Sequence, residues 1–592
     1  MHRDPLIVLK FGGSALRDRA ALRPAVHEIY RWYRRGYRVL AVVSAFEGVT
    51  DRLLGEARSL CDDPAPDRTA TLLATGELTT ASLLGLALQR AGLPAATLTP
   101  HQVGLRVRGG HLDAEAVSTD SAAIHNALDR APVVVVPGFI GVGEGGEYKT
   151  LGRGGSDLSA LFLAAECGAA RCRLIKDVPG VFDHDPRAPG PFARLLESVT
   201  YEHALQLDGG VIQHKATRFA RDRGLVFEVG TLHAEFATTV GGAATTYAPE
   251  QRAGKPLRVG LLGLGTVGLG VYRQILGMPD QAQVVFAACR DFDRAIASGV
   301  PGEILRSSLV DLPLHECDVL VEAVGGLEPV GQALEQALRA GVPVVTANKA
   351  VIAARLGALR EAAEAGGTSL RFAAAVGGAA PIVEGAARIA AQSPIAEIEG
   401  VLNGTVNTVL DQIRSGRAFE AALDHARRRG LAEADPSRDL NGQDAADKLA
   451  VLAEVGFGET VPTQVIERHD PVSDGNPGVP FGEHGGQVVR QVAWIRVTAN
   501  GLEASVDLRH LAPDHPLAGV HGAENAAVIT TRDGKSQVIR GTGAGRWPTA
   551  EAVIADVLDV RRECMSRPAG AGLSVRPITA QAAGLSASLS GA

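Results

Sequence analysis

Cysteine is scarce in this sequence, basic residues are not in excess, and long apolar runs are missing. The six cysteines in 592 residues form no C-x-x-C pair, which indicates reduced thiols in a reducing compartment rather than a disulfide framework. The formal net charge of -7 gives no basic footprint for nucleic acid. No apolar run reaches the length of a membrane span, and the N-terminus shows no signal-peptide pattern. We therefore expect a cytoplasmic protein with neither nucleic acid nor membrane as a partner.

Composition divides the chain into two halves and a tail. Residues 244–256 are rich in small residues and proline, as is typical of a linker, and the composition of 566–592 indicates a disordered tail. On both sides of the linker, short apolar runs alternate with amphipathic helical patterns. This alternation predicts α/β units with mostly parallel sheets, and the length predicts more than one domain.

A glycine pair follows the first apolar run of the chain. Residues 6–9 predict a buried strand, and Lys10, Gly12, Gly13 and Ser14 come directly after it. The order of residues matches neither G-x-x-x-x-G-K-[ST] nor G-x-G-x-x-G. A lysine and two glycines at a strand end nevertheless suggest a cradle for phosphate.

A second glycine loop, at 151–157, precedes an apolar helical segment. Backbone N–H groups at a helix start can bind an anion, and Arg153 adds a fork suited to a carboxylate or phosphate. Asp157 lies near the helix start, where it could hold a metal or an ammonium group. One glycine loop alone would indicate only a tight turn, but two loops with these charged residues favour a ligand site.

A third glycine loop lies beyond the linker. Gly263, Gly265 and Gly268 form a G-x-G-x-x-G that follows an apolar strand and opens a helix, which is the context of a dinucleotide-binding fingerprint. The next predicted strand ends at Arg290, and an arginine there favours the 2′-phosphate of NADP. The adjacent Asp291 leaves NAD open as the alternative.

Polar residues also follow a later apolar run. Thr346 and Lys349 lie at the end of a predicted buried strand, where open α/β sheets bind their ligands. Asp444 and Lys448 are four residues apart at the start of an amphipathic helix, so they share one face. Such a pair is usually a surface ion pair, but the acidic residues within 433–439 argue for the lip of a pocket.

The first half resembles the aspartate kinases over about residues 5–240. This resemblance implies the amino-acid-kinase fold and transfer of the γ-phosphoryl group of ATP, with Mg²⁺, to the side-chain carboxylate of L-aspartate. Five motifs in the family's order carry it, at 10–14, 43–51, 76–77, 151–157 and 177–187.

The resemblance also implies roles for single residues. Lys10 would steady the transferring phosphoryl group, and Asp157 would order the catalytic centre or face the substrate ammonium. The other implied contacts are Gly12, Gly13, Ser14 and Asp177 for the nucleotide, and Thr50, Glu77, Arg153 and Ser156 for the aspartate.

This half departs from the family at the phosphate site. The family usually has threonine where this chain has Lys176, and its G-A-K-V-L-H-P stretch corresponds to residues 209–215 here. The phosphate-facing lysine of that stretch is therefore either missing or displaced to Lys215. Two hypotheses follow, an active aspartate kinase or a degenerate kinase-like domain that only binds a ligand or scaffolds the oligomer.

The second half resembles the homoserine dehydrogenases over about residues 256–560. This resemblance implies NAD(P)H-dependent reduction of L-aspartate 4-semialdehyde to L-homoserine. Lys448 and Lys349 would handle the proton, Asp444 would orient Lys448 and the substrate hydroxyl, and Glu433 would bind the substrate ammonium. The motifs that carry the resemblance lie at 322–326, 346–349, 381–385, 400–407, 430–449 and 541–556.

The same resemblance implies sites for a cofactor and a cation. The family commonly has an acidic residue, a ligand of a monovalent cation, where this chain has Ala373. Backbone carbonyls of Val376, Gly378 and Ala380 could still hold that cation. The implied contacts of NADP or NAD are Gly263, Gly265, Thr266, Val267, Gly268, Arg290, Gly325, Thr346 and Lys349.

Together the two resemblances predict a fused aspartate kinase and homoserine dehydrogenase that acts on small molecules as a homo-oligomer, a dimer or a tetramer. A linker of this length cannot hold a regulatory ACT domain, and the region 460–500, which is unlike the family, is expected to be a loop or lid. The predicted order is an amino-acid-kinase-like domain at 1–243, the linker at 244–256, a Rossmann NAD(P)-binding domain at 257–380 completed by about 535–562, and an α+β catalytic and dimerisation domain at 381–534.

Overall fold

The computed structural model describes residues 4–188, 192–207, 210–249, 255–309, 311–432, 435–469 and 487–565. It contains two compact units, an N-terminal unit of residues 3–254 and a C-terminal unit from residue 255 onward. The tail that we expect at 566–592 lies outside the described residues.

Apolar, β-branched runs form the strands of the N-terminal unit, and the amphipathic segments between them form its helices. The strands are β1 (Leu6–Phe11), β2 (Arg38–Val43), β3 (Ala95–Thr97), β4 (Arg106–Gly109), β5 (Ala114–Ser118), β6 (Val133–Pro137), β7 (Ile140–Val142), β8 (Tyr148–Thr150), β9 (Arg171–Lys176), β10 (Leu196–Val199), β11 (Phe227–Thr231), β12 (Thr238–Val240) and β13 (Thr246–Tyr247). The helices are α1 (Leu22–Arg34), α2 (Val49–Leu60), α3 (Pro66–Ala91), α4 (Ser121–Arg130), α5 (Gly155–Glu166), α6 (Tyr201–Gln206) and α7 (His214–Arg223).

The main sheet of the N-terminal unit is largely parallel, which confirms the expectation from the sequence. Its strand order is β13-β10-β12-β11-β9-β1-β2-β6-β3, and a second, smaller sheet has the order β5-β4-β7-β8. Strand β1 is buried along its whole length and pairs in parallel with β2 and β9. The carboxyl ends of β1 and β9 therefore lie side by side, and the loops that leave them meet at one edge of the sheet.

Helix α3 differs from one expectation. By length and composition alone it could cross a membrane, whereas the sequence analysis found no such segment. Part of the helix is buried against the unit itself, with Leu73, Leu84 and Leu88 in the interior. The buried side of α3 also carries Glu77, whose carboxylate accepts the N–H of Ala45 just after β2.

The C-terminal unit has the same alternation followed by long antiparallel strands. Its strands are β14 (Leu257–Leu262), β15 (Ala282–Ala288), β16 (Leu305–Arg306), β17 (Val319–Glu322), β18 (Val344–Thr346), β19 (Leu370–Arg371), β20 (Ile395–Val401), β21 (Glu467–Arg468), β22 (Val488–Thr498), β23 (Gly501–Leu511), β24 (Glu524–Thr531) and β25 (Ser536–Thr542). Its helices are α8 (Thr266–Leu276), α9 (Phe292–Ala297), α10 (Val330–Arg339), α11 (Lys349–Ala365), α12 (Ile382–Ala390), α13 (Gly404–Arg414), α14 (Phe419–Arg428), α15 (Ser437–Leu440), α16 (Gln443–Phe457) and α17 (Arg546–Met565).

The first sheet of the C-terminal unit is parallel and has the order β16-β15-β14-β17-β18-β19. Strand order reverses between β14 and β17, and this switch point is where such sheets bind ligands. Helix α17 packs on α8, where a Cβ atom added at Gly270 would lie 3.1 Å from Cβ of Ala550. A helix from the end of the described chain thus completes this layer.

The second sheet has the order β21-β23-β22-β20-β24-β25 and is antiparallel except for the pairing of β21 with β23. Helices α12 and α16 share one core with this sheet, formed in part by Ile398, Leu449 and Ile495. Helix α16 also contacts α11 of the parallel sheet. This contact brings the residues after β18 next to the first turn of α16.

Three stretches differ from the expected boundaries. Strand β13 falls in the expected linker but pairs with β10 of the N-terminal unit. Strand β25 pairs with β24 in the antiparallel sheet, so α17 alone, rather than 535–562, returns to the parallel layer. Strand β22 lies in the region where we expected a loop or lid, and residues 470–486 of that region lie outside the described residues.

Candidate active sites

A buried carboxylate in the N-terminal unit lies between two lysines. Asp157, in the first turn of α5, contacts Lys10 Nζ through Oδ1 at 2.7 Å and Lys176 Nζ through Oδ2 at 2.8 Å. Lys10 is in β1 and Lys176 ends the adjacent strand β9. The structure thus brings together Lys10 and Asp157, as the resemblance implied. Lys176 joins them, although the sequence showed it only as a departure from the family.

Burial and charge act against each other in this cluster. Burial lowers the pKa of Lys10 to about 8, although the Asp157 carboxylate opposes the shift. Burial alone would raise the pKa of Asp157, but the charges of Lys10 and Lys176 lower it to about 2. With the carboxylate ionised and both lysines protonated, the cluster carries one net positive charge, which suits an anionic ligand.

The glycine pair leaves room for Lys10 and the neighbouring loop. A Cβ atom at Gly12 would lie 3.0 Å from Lys10 Nζ, and one at Gly13 would lie 3.4 Å from the carbonyl oxygen of Ala45. Gly12 also donates its N–H to the Ile175 carbonyl at 3.3 Å. Any larger side chain at Gly12 would press on the ammonium group, so the loop keeps its glycine for a steric reason.

Glu77 is a second buried carboxylate near this loop. The N–H of Ala45 donates to its Oε1 at 3.2 Å, and burial raises its pKa to about 7. Its Oε2 is buried without a hydrogen-bond partner among the described residues. Helix α3 approaches the start of α2 beside Glu77, since a Cβ atom at Gly76 would lie 3.2 Å from Val49 Cγ1. Thr50, half-buried, is the next residue of α2.

The remaining predicted residues of this unit lie around the cluster rather than in it. Ser156 is buried next to Asp157, and Ser14 is half-buried after the glycine pair. Arg153 and Asp177 are exposed. No described hydrogen bond or ion pair ties their side chains to the three-residue cluster, so their implied contacts with substrate and nucleotide stay predictions.

Lys215 is engaged elsewhere. Its Nζ donates to Asp113 Oδ1 at 2.8 Å, to the Leu151 carbonyl at 3.0 Å and to the Ala114 carbonyl at 3.3 Å. Val211, the first residue after the two glycines of the stretch 209–215, packs against the apolar core. The geometry therefore argues against displacement of the phosphate-facing lysine to Lys215.

In the C-terminal unit, the G-x-G-x-x-G loop follows β14 and opens α8. A Cβ atom at Gly268 would lie 1.9 Å from the Gly263 carbonyl oxygen, and Gly263 itself has a positive φ of 91°. A Cβ atom at Gly265 would meet nothing within 4 Å. The outer glycines thus make the tight turn, whereas Gly265 leaves open space at the helix start, where Thr266 is exposed and Val267 half-buried. This cradle fits a dinucleotide pyrophosphate.

A buried glutamate connects the loop after β17 with the end of β18. Glu322, at the end of β17, accepts the N–H of Val324 at 2.7 Å and that of Gly325 at 3.0 Å, and it also accepts the hydroxyl of Thr346. Asn348 completes the link by donating to the Gly326 carbonyl at 2.7 Å. Sequence reasoning missed Glu322 and Asn348 as positioning residues, although both lie in quoted motifs, at 322–326 and 346–349.

Arg290 and Asp291 differ in their contacts. Asp291 caps α9, since its Oδ1 accepts the N–H of Arg294 at 2.9 Å. Arg290 is exposed at the end of the strand that precedes α9. One carboxylate oxygen of Asp291 is therefore engaged by the helix, and both side chains are exposed.

A second buried carboxylate lies between two lysines in this unit. Asp444, in the first turn of α16, forms ion pairs with Lys349 through Oδ1 and with Lys448 through Oδ2, the latter at 2.7 Å. Burial alone would raise the pKa of Asp444, but Lys448 and Lys349 lower it below its usual range. Burial alone would lower the pKa of Lys349, but the charge of Asp444 outweighs this effect, so the pKa of Lys349 is raised. The three predicted catalytic residues thus form one contact cluster rather than a surface ion pair.

Two residues that the sequence analysis did not single out complete this cluster. Asn403 caps α13 with its Oδ1 and donates through Nδ2 to Asp439 Oδ1 and to Asp444 Oδ2, both at 2.8 Å. Burial, followed by the charge of Asp444, raises the pKa of Asp439. The spacing of Asn403 from its partners along the chain gave no local signal, although Asp439 belonged to the noted acidic stretch.

The remaining predicted residues of this unit are Glu433, for the substrate, and the turn with Val376, Gly378 and Ala380, for a cation. Glu433 lies outside the described residues. Val376, Gly378 and Ala380 are buried in the turn before α12, and the N–H of Ala379 donates to the Thr542 carbonyl at 3.0 Å. No described group of three His, Cys, Asp or Glu side chains could hold a metal ion. A monovalent cation at this turn would therefore depend on carbonyl oxygens.

Comparison with known proteins identifies three family regions. Residues 5–225 match the amino acid kinase family, residues 263–373 match the homoserine dehydrogenase NAD-binding domain, and residues 381–558 match homoserine dehydrogenase. The match to the NAD-binding domain supports a nicotinamide cofactor at the G-x-G-x-x-G cradle.

Two curated relatives and a solved structure are also similar to parts of this chain. A homoserine dehydrogenase of Synechocystis is 37 % identical over 318 residues, which are 51 % of this chain and 73 % of the relative. Aspartokinase 2 of Bacillus subtilis is 38 % identical over 227 residues, 38 % of this chain, and the chain spans only 55 % of that relative. The crystal structure of a homoserine dehydrogenase from Thiobacillus denitrificans is 35 % identical with a TM-score of 0.48, covering 52 % of this chain and 74 % of that one.

These matches follow the order of the two units. The glycine cradle, the antiparallel sheet and helix α16 with Asp444 fall within the dehydrogenase regions, and the Lys10 and Asp157 pair falls within the kinase region. The chain belongs to the homoserine dehydrogenase family and carries a domain of the amino acid kinase family in front of its dehydrogenase domains.

Proposed function

We propose that the C-terminal unit reduces L-aspartate 4-semialdehyde to L-homoserine with a reduced nicotinamide cofactor. The observation that carries this proposal is the buried Asp444 carboxylate between Lys349 and Lys448. This cluster lies where α16 contacts α11, whose first residue is Lys349. The loop just before Lys349 is held at the switch point by the hydrogen bond between Thr346 and Glu322.

The protein's own residues supply the proton in this reaction. The cofactor, when bound, supplies a hydride to the aldehyde carbon. The aldehyde oxygen then gains negative charge, and a lysine ammonium group donates the proton that makes it a hydroxyl. Lys448 suits this step because the Leu402 carbonyl and Asp444 hold its Nζ in one place. Asp444 holds Lys349 and Lys448 by ion pairs, and Glu433 and Asp439 are the carboxylates proposed for the substrate ammonium group.

We propose NADP as the preferred cofactor. The support is that Arg290 is exposed just after the strand, while one oxygen of the neighbouring Asp291 caps α9. We also propose a monovalent cation at the carbonyls of Val376, Gly378 and Ala380. The turn is buried, and a Cβ atom at Gly378 would lie 2.8 Å from the carbonyl oxygens of Thr542 and Gly543.

We propose that the N-terminal unit is an active aspartate kinase rather than a binding scaffold. The support is the buried cluster of Lys10, Asp157 and Lys176, whose excess positive charge suits a phosphoryl group. In the reaction, an oxygen of the aspartate side chain bonds to the γ-phosphorus while the bond to the bridging oxygen breaks, and ADP leaves with the electron pair. ATP enters with Mg²⁺, and the orphaned Oε2 of Glu77 offers an acceptor for the substrate ammonium group.

The Lys448→Ala variant should lose about 10²-fold or more in kcat for homoserine oxidation, because the proton-transferring group is removed. The measurement is the rate of NADP reduction at saturating homoserine. Asp447→Asn is the matched control, since Asp447 lies on the same helix and is equally buried but pairs with Arg438 at 2.7 Å. Activity of Lys448→Ala near that of the control would contradict the assignment.

The Arg290→Ala variant should lose about 10-fold or more in kcat/KM for NADP, the size expected when a charged hydrogen bond to phosphate is removed. Its kcat/KM for NAD should stay close to that of the parent. Asp291→Ala is the control, because it removes a helix cap without touching the 2′-phosphate. If Asp291→Ala instead shifts the preference towards NADP, the carboxylate faces the ribose and our interpretation of Arg290 is wrong.

The kinase kcat/KM for aspartate should follow a narrow bell-shaped pH profile. Glu77 must be ionised to bind an ammonium group, so activity should rise with pH through its pKa of about 7. Lys10 must be protonated to bind the phosphoryl group, so activity should fall above its pKa of about 8. Aspartate-dependent release of ADP measures the profile. Glu77→Gln should lack the acid limb, and an unchanged acid limb in that variant would exclude Glu77 as its source.

A further inference from the structure

Lys176 and Lys10 come from the ends of neighbouring parallel strands. Phe11 is in register with Ile175, and the N–H of Gly12 donates to the Ile175 carbonyl at 3.3 Å. This hydrogen bond holds the glycine loop after β1 next to Lys176. Because both lysines contact oxygens of Asp157, at 2.7 and 2.8 Å, the carboxylate gathers the two ammonium groups at one place.

The cluster has one positive charge in excess. In the part of the chain that the structure describes, no other carboxylate forms an ion pair with Lys10 or Lys176. A buried ammonium group without a counter-charge is unfavourable, and burial already lowers the pKa of Lys10 to about 8. An anion bound between the two lysines would supply the missing negative charge.

The structure offers Lys176 rather than Lys215 for this role. The three N–H groups of Lys215 have three acceptors, one carboxylate and two carbonyls. Lys176 has Asp157 as its described partner, and 14 % of its side chain is exposed. It can therefore reach a ligand from a position at the sheet edge, while Lys215 cannot do so without losing its contacts.

We propose that Lys176 is a catalytic residue of the kinase half that clamps the γ-phosphoryl group of ATP together with Lys10. Asp157 is the shared partner that holds the two ammonium groups beside each other. During transfer, the phosphoryl oxygens accept hydrogen bonds from both lysines while the bond to ADP breaks and the bond to the aspartate carboxylate forms. This inference rests on the proposed kinase function. The competing explanation is that Lys176 only neutralises Asp157.

Nucleotide binding separates the two explanations without requiring turnover. Lys176→Met keeps the length of the side chain and removes its charge, and Lys176→Arg keeps the charge. By isothermal titration with Mg²⁺ present, Lys176→Met should bind ATP at least about 10-fold more weakly than the parent, as expected for a lost charged hydrogen bond, and Lys176→Arg should recover part of that loss. Binding of ADP should stay within about twofold, which also shows that the unit is folded. Equal losses for ATP and ADP, or no loss for either, would overturn the proposal.

Kinase turnover gives the second measurement. Acyl phosphate formed from ATP and aspartate is trapped with hydroxylamine, and Lys176→Met should lose about 10²-fold or more in kcat with little change in KM for aspartate. Lys149→Met is the matched control, since Lys149 contacts Glu147 at 3.3 Å and has a similarly covered side chain away from the cluster. A kcat within threefold of that control would refute the role of Lys176. A parent enzyme that forms no hydroxamate would instead refute the kinase function itself.

Discussion

A buried aspartate that accepts two lysines is the interaction on which both proposed sites depend. Asp157 and Asp444 are each almost fully buried, and each would lose its charge in an apolar interior without a partner. Two lysines reverse that tendency in each unit. Beside Asp157 they leave one positive charge in excess, which suits a phosphoryl group. Beside Asp444 the carboxylate of Asp439 adds a second negative charge, so that cluster offers a lysine proton to an aldehyde oxygen rather than an excess of charge.

The sheets decide which residues can form these clusters. In the N-terminal unit the two lysines come from adjacent parallel strands, whose carboxyl ends must lie at one edge. In the C-terminal unit one lysine follows β18, and the aspartate and the other lysine share one face of α16. At the same edges, glycines allow close turns that a side chain would block. A side chain at Gly268, for example, would clash with the Gly263 carbonyl. Electrostatics and strand order therefore specify the sites jointly.

Local patterns in the sequence predicted the parts of these sites that local physics controls. The buried strands, the glycine turns and the Asp444 and Lys448 pair follow from runs and spacings of a few residues, and the structure confirms them. Contacts between distant residues were not predictable in this way. Lys176 showed only as a departure from the family's threonine, because its partner Asp157 lies 19 residues away on α5. Asn403 was passed over because it bonds Asp439, 36 residues away. The strand β13 was assigned to the linker because two residues are too few to show a period.

The number of free N–H groups explains how two similar clusters can serve different chemistry. A lysine has three N–H groups, and Lys448 uses two of them, on Asp444 and on the Leu402 carbonyl. One N–H is left for a single substrate oxygen, as proton donation to an aldehyde requires. Among the described contacts, Lys176 donates one N–H to Asp157 Oδ2, and Lys10 faces Oδ1 of the same carboxylate as an ion pair. Four N–H groups then remain between them, enough to surround the several oxygens of a phosphoryl group. The backbone carbonyl beside Lys448 is therefore what separates a proton donor from a phosphate clamp.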